Sequence, residues 1–126
     1  MKVVIVEPLK EPIVKDMELN LKSLQEICEG YIECISLSKL TIAFCNEEGK
    51  LIGLPGNRKI GNDIIAGNFA ICGVDNEGEY RDLSDSEVEH WVDRFKEPEH
   101  YTTQNAEDAI RIEFYAEEKA NDAYER

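Results

Sequence analysis

The chain has 126 residues, 42% hydrophobic and 33% charged, with a formal net charge of −13. That length suits one core and not two, and the composition is that of a globular chain and not a disordered one. No run approaches the roughly 20 apolar residues that cross a bilayer, and so acidic a balance disfavours direct contact with nucleic-acid phosphates.

The first predicted element is a buried strand at Lys2–Val6, four β-formers in a row. Its apolar run is too short for a signal peptide and has no small-residue cleavage site. Pro8 and Pro12 end it and force an extended connection. Met17, Leu21, Leu24 and Cys28 then recur at helical spacing, with Asp16 or Asn20 as N-cap and Gly30 as terminator. Residues 31–37 read as a second strand, although neither face of it is cleanly polar. Ser38-Lys39 is too short a link for a crossover, so a third strand at 40–45 is expected to pair with it as an antiparallel hairpin.

Seven of the eight glycines fall between Gly49 and Gly78, and the stretch 46–73 is the most distinctive in the chain. Glu47-Glu48-Gly49 is a turn signal, and Lys50-Leu51-Ile52 reads as a short return strand. Pro55-Gly56 suits the centre of a type II turn, with Asn57 and Arg58 presented beside it. Gly61-Asn62 is another turn. Asp63-Ile64-Ile65-Ala66-Gly67 leads into a strand at 68–72, and Asp75-Asn76-Glu77-Gly78 turns the chain again.

Ser84-x-x-Glu87 is a capping box opening a helix with Val88, Trp91, Val92 and Phe95 on one face, so the single tryptophan reads as a core anchor. Pro98 ends that helix, and residues 99–105 read as a polar hinge. Residues 106–124 return to helical spacing with an alanine-rich stripe, which forms a helix readily but buries little area.

Residues 1–74 carry ten acidic and eight basic side chains, whereas residues 75–126 carry seventeen and six. Acidic helices of this kind serve solubility. They also offer a surface to a basic partner, or an imitation of nucleic acid.

Little in the chain points to catalysis. Neither His90 nor His100 lies near a G-x-S-x-G elbow, and Glu47-Glu48 are adjacent in a turn and do not converge. The glycine-rich stretch lacks the G-x-x-x-x-G-K-[ST] phosphate loop. Cys28, Cys34, Cys45 and Cys72 contain no C-x-x-C pair and sit in apolar runs, as expected of four buried, reduced thiols in a cytosolic protein. No catalytic residue, metal site or cofactor is assigned on these grounds. A small anion of the nucleotide or signalling-phosphate kind has one candidate site, Asn57, Arg58 and Lys59 with nearby backbone N–H groups. The competing reading is that Arg58 pairs with an acid and Asn57 caps its own turn.

Residues 4–8, the helix end Gly30-Tyr31-Ile32-Glu33, Asn46-Glu47-Glu48-Gly49-Lys50, Leu54-Pro55 with Asn57-Arg58, Asp63-Ile64-Ile65-Ala66-Gly67 and Leu83-Ser84-Asp85 follow one another in a fairly specific order. On these motifs, residues 2–95 resemble a family of short proteins of unknown function from phages, plasmids and conjugative elements of Gram-positive bacteria. The resemblance implies a bacterial cytoplasm and a gene cargo that often encodes modulators of host processes. It carries no activity with it, and the tail from about Tyr101 lies outside it.

The expected architecture is α+β: a mixed or mainly antiparallel sheet of four to five strands packed by two amphipathic helices, most simply on one face. Residues 1–98 form the domain and 99–126 an acidic C-terminal helix or tail. The expected function is that of a non-enzymatic acidic binding protein of a mobile element, acting on a host or phage protein with a basic surface. Asp82, Asp85, Glu87, Glu89 and Asp93 are the candidate partner surface. The alternative is an anion-binding module built on the 55–67 loop.

Overall fold

The computed structural model describes residues 1–101, and the acidic C-terminal helix expected at 106–124 lies outside them. Strand β1 (Lys2–Val6) supplies valines and isoleucine to both faces of a sheet. The chain turns at Pro8–Lys10 and returns as β2 (Ile13–Asp16), paired antiparallel to β1 with Val4 opposite Val14. The connection read from the two prolines is therefore the loop of a hairpin. Pro12 directly precedes the strand, a position where its missing N–H leaves no ladder bond unmade.

Helix α1 (Leu21–Cys28) opens at Asn20, whose side chain accepts from the Ser23 N–H while the Ser23 hydroxyl accepts from the Asn20 N–H. It ends where Glu29 adopts a left-handed conformation. Carbonyls of its last turn that have no partner within the helix are met by two asparagines from elsewhere. Asn46 donates to Cys28 and Glu29, and Asn68 donates to Ile27.

Strands β3 (Ile32–Ser38) and β4 (Thr41–Asn46) form the expected antiparallel hairpin, with a bulge at Ser36–Ser38. Residues 50–52, expected as a strand, instead form a succession of turns, and the chain re-enters as β5 (Gly56–Ile60). Pro55-Gly56 is not a type II turn: Gly56 begins β5, and its close neighbour is the Tyr101 side chain. Gly61, at φ 62°, makes the tight turn to β6 (Asp63–Ala66), and the two strands form a separate ribbon. Strand β7 (Phe69–Val74) then enters the middle of the main sheet, and β8 (Tyr80–Arg81) pairs with its end. The capping box places α2 at Asp85–Arg94.

Among the described residues the main sheet has six strands in the order β2-β1-β7-β4-β3, with β8 beside β7, and every pairing among them is antiparallel. The architecture is thus α+β, with six strands where four or five were expected. The helices do not share a face. Leu24 and Cys28 of α1 pack with Val3, Ile5, Phe44, Ala70 and Cys72. On the other side Val4, Val6, Ala43, Cys45, Phe69 and Ile71 pack with Phe95 and the half-buried Val88, Trp91 and Val92. Alternation along β1, β4 and β7 is apolar on both faces because both are covered. The same fact explains β3: Ile32 packs with the α1 layer, and Ile35 and Leu37 with the α2 layer.

Candidate functional site

Two regions carry the candidate residues, and the structure treats them differently. Asn57 and Arg58, expected beside an exposed turn, are both fully buried. Asn57 Nδ2 donates to the carbonyls of Val6 and Gly67, each at 2.9 Å. Its Oδ1 accepts from Arg58 Nη1 at 2.8 Å, which fixes the orientation of the amide. Arg58 Nη2 donates to Lys10 O at 2.7 Å, while Nη2 and Nε both donate to Phe95 O, at 2.8 and 3.1 Å.

This arrangement is chemically complete. Burial pulls the Arg58 pKa down from its ordinary value, opposed by Glu99 and Tyr101, and a guanidinium remains charged at neutral pH regardless. Carbonyl dipoles solvate that charge in place of water, as burial of a charge requires. No buried side-chain nitrogen or oxygen among the described residues lacks a partner. Asn57 and Arg58 therefore clip together the β1–β2 loop, the β6–β7 connection and the end of α2. Lys59, the third candidate, is exposed, but its backbone N–H is taken by Glu99 and its carbonyl by Arg94. The interior placement came from partners 37 to 51 residues away in sequence, which the local pattern of a turn does not reveal.

The acidic candidates lie on and before α2. Glu87 is not presented outward. Arg81 grips both its carboxylate oxygens, at 2.7 and 2.9 Å, and the Ser84 N–H donates to it at 2.9 Å. Chiefly through Arg81, its pKa is held down at about 2, despite partial burial and with further help from Ser84. Gly73 makes room for this pair, since an added Cβ there would lie 2.5 Å from an Arg81 guanidinium nitrogen. Asp82 accepts from the Lys2 N–H, and Asp85 pairs with Lys2 Nζ at 3.1 Å, though both remain exposed. Glu89 and Asp93 are exposed and have no ion-pair partner among the described residues. Asp85, Glu89 and Asp93 stand four residues apart, so they form one stripe along the helix.

That stripe borders a groove of about 400 Å³ between α2 and the chain leading into β2. Glu11 and Pro12 form one wall, and Glu89, Val92, Asp93 and Lys96 the other. Sequence reasoning found the α2 acids but not Glu11, because the hairpin that carries it was not foreseen.

Of the four cysteines, Cys28, Cys45 and Cys72 are buried and Cys34 is exposed on the edge strand β3. The expectation of four buried thiols is corrected there: an edge strand has a neighbour on one side only. Burial pushes the Cys28 and Cys72 thiols up to about 12 and raises Cys45 further. No group of three or more histidine, cysteine or acidic side chains among the described residues is placed to hold a metal ion. No helix among them is long and apolar enough to cross a membrane.

These features describe a small α+β domain with an antiparallel sheet covered on both faces, an internal polar clip and an acidic helix flank. The domain-of-unknown-function family DUF3846 matches residues 1–96, and the chain belongs to that family. No curated protein and no solved structure matches it.

Proposed function

We propose that this protein is a non-enzymatic binding protein that engages a basic surface of a host or phage protein through the acidic flank of α2. The observation that carries the reading is the stripe of Asp85, Glu89 and Asp93. Like charges four apart on a helix weaken it by roughly 0.2–0.5 kcal/mol per pair. Glu89 and Asp93 have no ion-pair partner among the described residues to offset this. A cation-bearing partner relieves that repulsion on binding, and the uneven charge of the chain strengthens long-range attraction. The resemblance to mobile-element proteins supplies the setting, a bacterial cytoplasm in which such a partner belongs to the host or to the element. The alternative, an anion site on the 55–67 loop, draws less support, because the buried donors of Asn57 and Arg58 are engaged by backbone carbonyls and by the Asn57 amide oxygen.

The test is affinity capture from a Gram-positive host lysate with the wild-type protein and an Asp85→Lys/Glu89→Lys/Asp93→Lys variant, read by mass spectrometry. A partner retained by the wild type, released by salt and absent with the variant supports the reading. Equal capture by both proteins overturns it. Thermal shift with a panel of nucleotides tests the alternative, and a rise abolished by Lys59→Ala favours it.

A further inference from the structure

Building on the acidic-flank reading, we infer that the groove between α2 and β2 is a peptide-binding site that takes an extended basic segment with an apolar side chain at its centre. The groove is bounded by two different elements, and its floor is apolar. Pro12 and Val92 line it. Val14, two residues beyond Pro12 and next to the groove lining, stands opposite Val4, which faces the α2 layer, and is 50% exposed, so among the described residues α2 does not cover this end of the sheet. Among the described residues β2 is also an edge strand, paired to β1 alone. Glu11 on one side and Glu89 and Asp93 on the other put carboxylates around that floor, with Lys96 the one cation among its described lining residues.

Charge selects the occupant. Three carboxylates against one ammonium favour a lysine- or arginine-bearing segment, and the half-exposed Pro12 and Val92 with the exposed Val14 beside them favour one apolar anchor between the cations. The chain's own residues 102–126 carry seven acidic and three basic side chains, so charge argues against them as the occupant.

The groove is also held open in advance. Arg58 bonds Lys10 O, next to the Glu11–Pro12 wall, and Phe95 O, at the end of the helix that forms the other wall. One buried guanidinium thus fixes the spacing of the two sides, so little ordering is left to do on binding. At the head of the loop Leu9 stands 58% exposed with φ 63°, a conformation uncommon for a residue with a side chain.

The experiment uses the full chain and two labelled peptides of equal charge, a lysine–glycine peptide and the same peptide with a central leucine, followed by fluorescence anisotropy. The leucine peptide is expected to bind more tightly. Val14→Ser, at a half-exposed position of the edge strand, is expected to remove that advantage and leave the leucine-free peptide unchanged. Asp93→Lys is expected to weaken both by about tenfold at low salt, and less as salt rises. If leucine gives no advantage, or Val14→Ser does not alter it, the groove proposal is overturned, while the acidic-flank reading survives so long as Asp93→Lys still weakens both peptides. If neither peptide binds, or Asp93→Lys has no effect, both readings fall.

Discussion

Asn57 and Arg58 show how much a single side chain's meaning depends on what lies far away in the chain. Asn57 supplies the donor for two buried carbonyls. An unmet buried polar group costs about 1–3 kcal/mol, so Asn57→Ala is expected to destabilise the fold by about 2–4 kcal/mol, read from the urea midpoint at constant slope. A loss under about 0.5 kcal/mol would show that water replaces the amide and that the clip is dispensable. Glu87 gives a prediction about pH. Its carboxylate is held near 2 by Arg81 and Ser84 in the fold, well below the ordinary value of 4.5. A group with a depressed folded-state pKa stabilises fully above its unfolded value and loses that contribution as pH falls through the folded one. The loss should therefore run from about pH 4.5 down to about pH 2, amounting to about 1–2 kcal/mol after allowance for its solvent exposure. Urea titrations of wild type and Glu87→Gln across that range should converge toward the acid end. Parallel curves would mean that the Arg81 pair contributes nothing. For the thiols, Cys34 is exposed and the other three cysteines are buried, so Ellman's reagent should titrate one thiol in the native protein and four after denaturation.

At the scale of elements, the periodic and capped segments were legible and the polar ones were not. The apolar run of β1, the short link between β3 and β4, and the capping box of α2 each dictate structure within a few residues, and each formed as expected. The β2 strand was hidden because its four residues are all exposed and two prolines precede it closely. Strand β5 was hidden because Gly56-Asn57-Arg58 has no β-former among them, and its burial relies on carbonyls of β1, the loop and α2. The opposite placement of the helices follows from hairpin β1–β2 and the central position of β7, neither of which periodicity specifies. Much of the motif series that carried the family resemblance proves to be structural. Asn46 caps α1, Asn57 and Arg58 form the clip, and Gly49 lets the Ala66 carbonyl come within 2.7 Å of where a Cβ would sit. Ser84, the N-cap of α2, makes the bond typical of a capping box, and Ser84→Ala should lower stability by about 1 kcal/mol in chemical denaturation. An unchanged midpoint would show that α2 is held by Val88, Trp91 and Phe95 alone.

For the whole molecule, the question is whether its charge serves solubility or recognition, and stability measurements separate the two. A net charge of −13 lowers the stability of the compact state through self-repulsion, and the four-residue spacing of Asp85, Glu89 and Asp93 along α2 adds to it. If those acids serve only solvation, replacing one changes binding to nothing. If they serve a partner, the same replacement gains stability and loses binding, the signature of a surface kept against the interest of the fold. Glu89 flanks both of its like-charged neighbours at the helical four-residue interval. Glu89→Lys converts two repulsions into two attractions and is expected to raise stability by about 1–2 kcal/mol at low salt, with the gain shrinking as the Debye length falls. Differential scanning calorimetry at low and high salt measures the gain, and anisotropy with the leucine-bearing basic peptide measures the expected loss of binding. A variant that is both more stable and equally competent would assign the stripe to solubility and leave the acidic flank without a function.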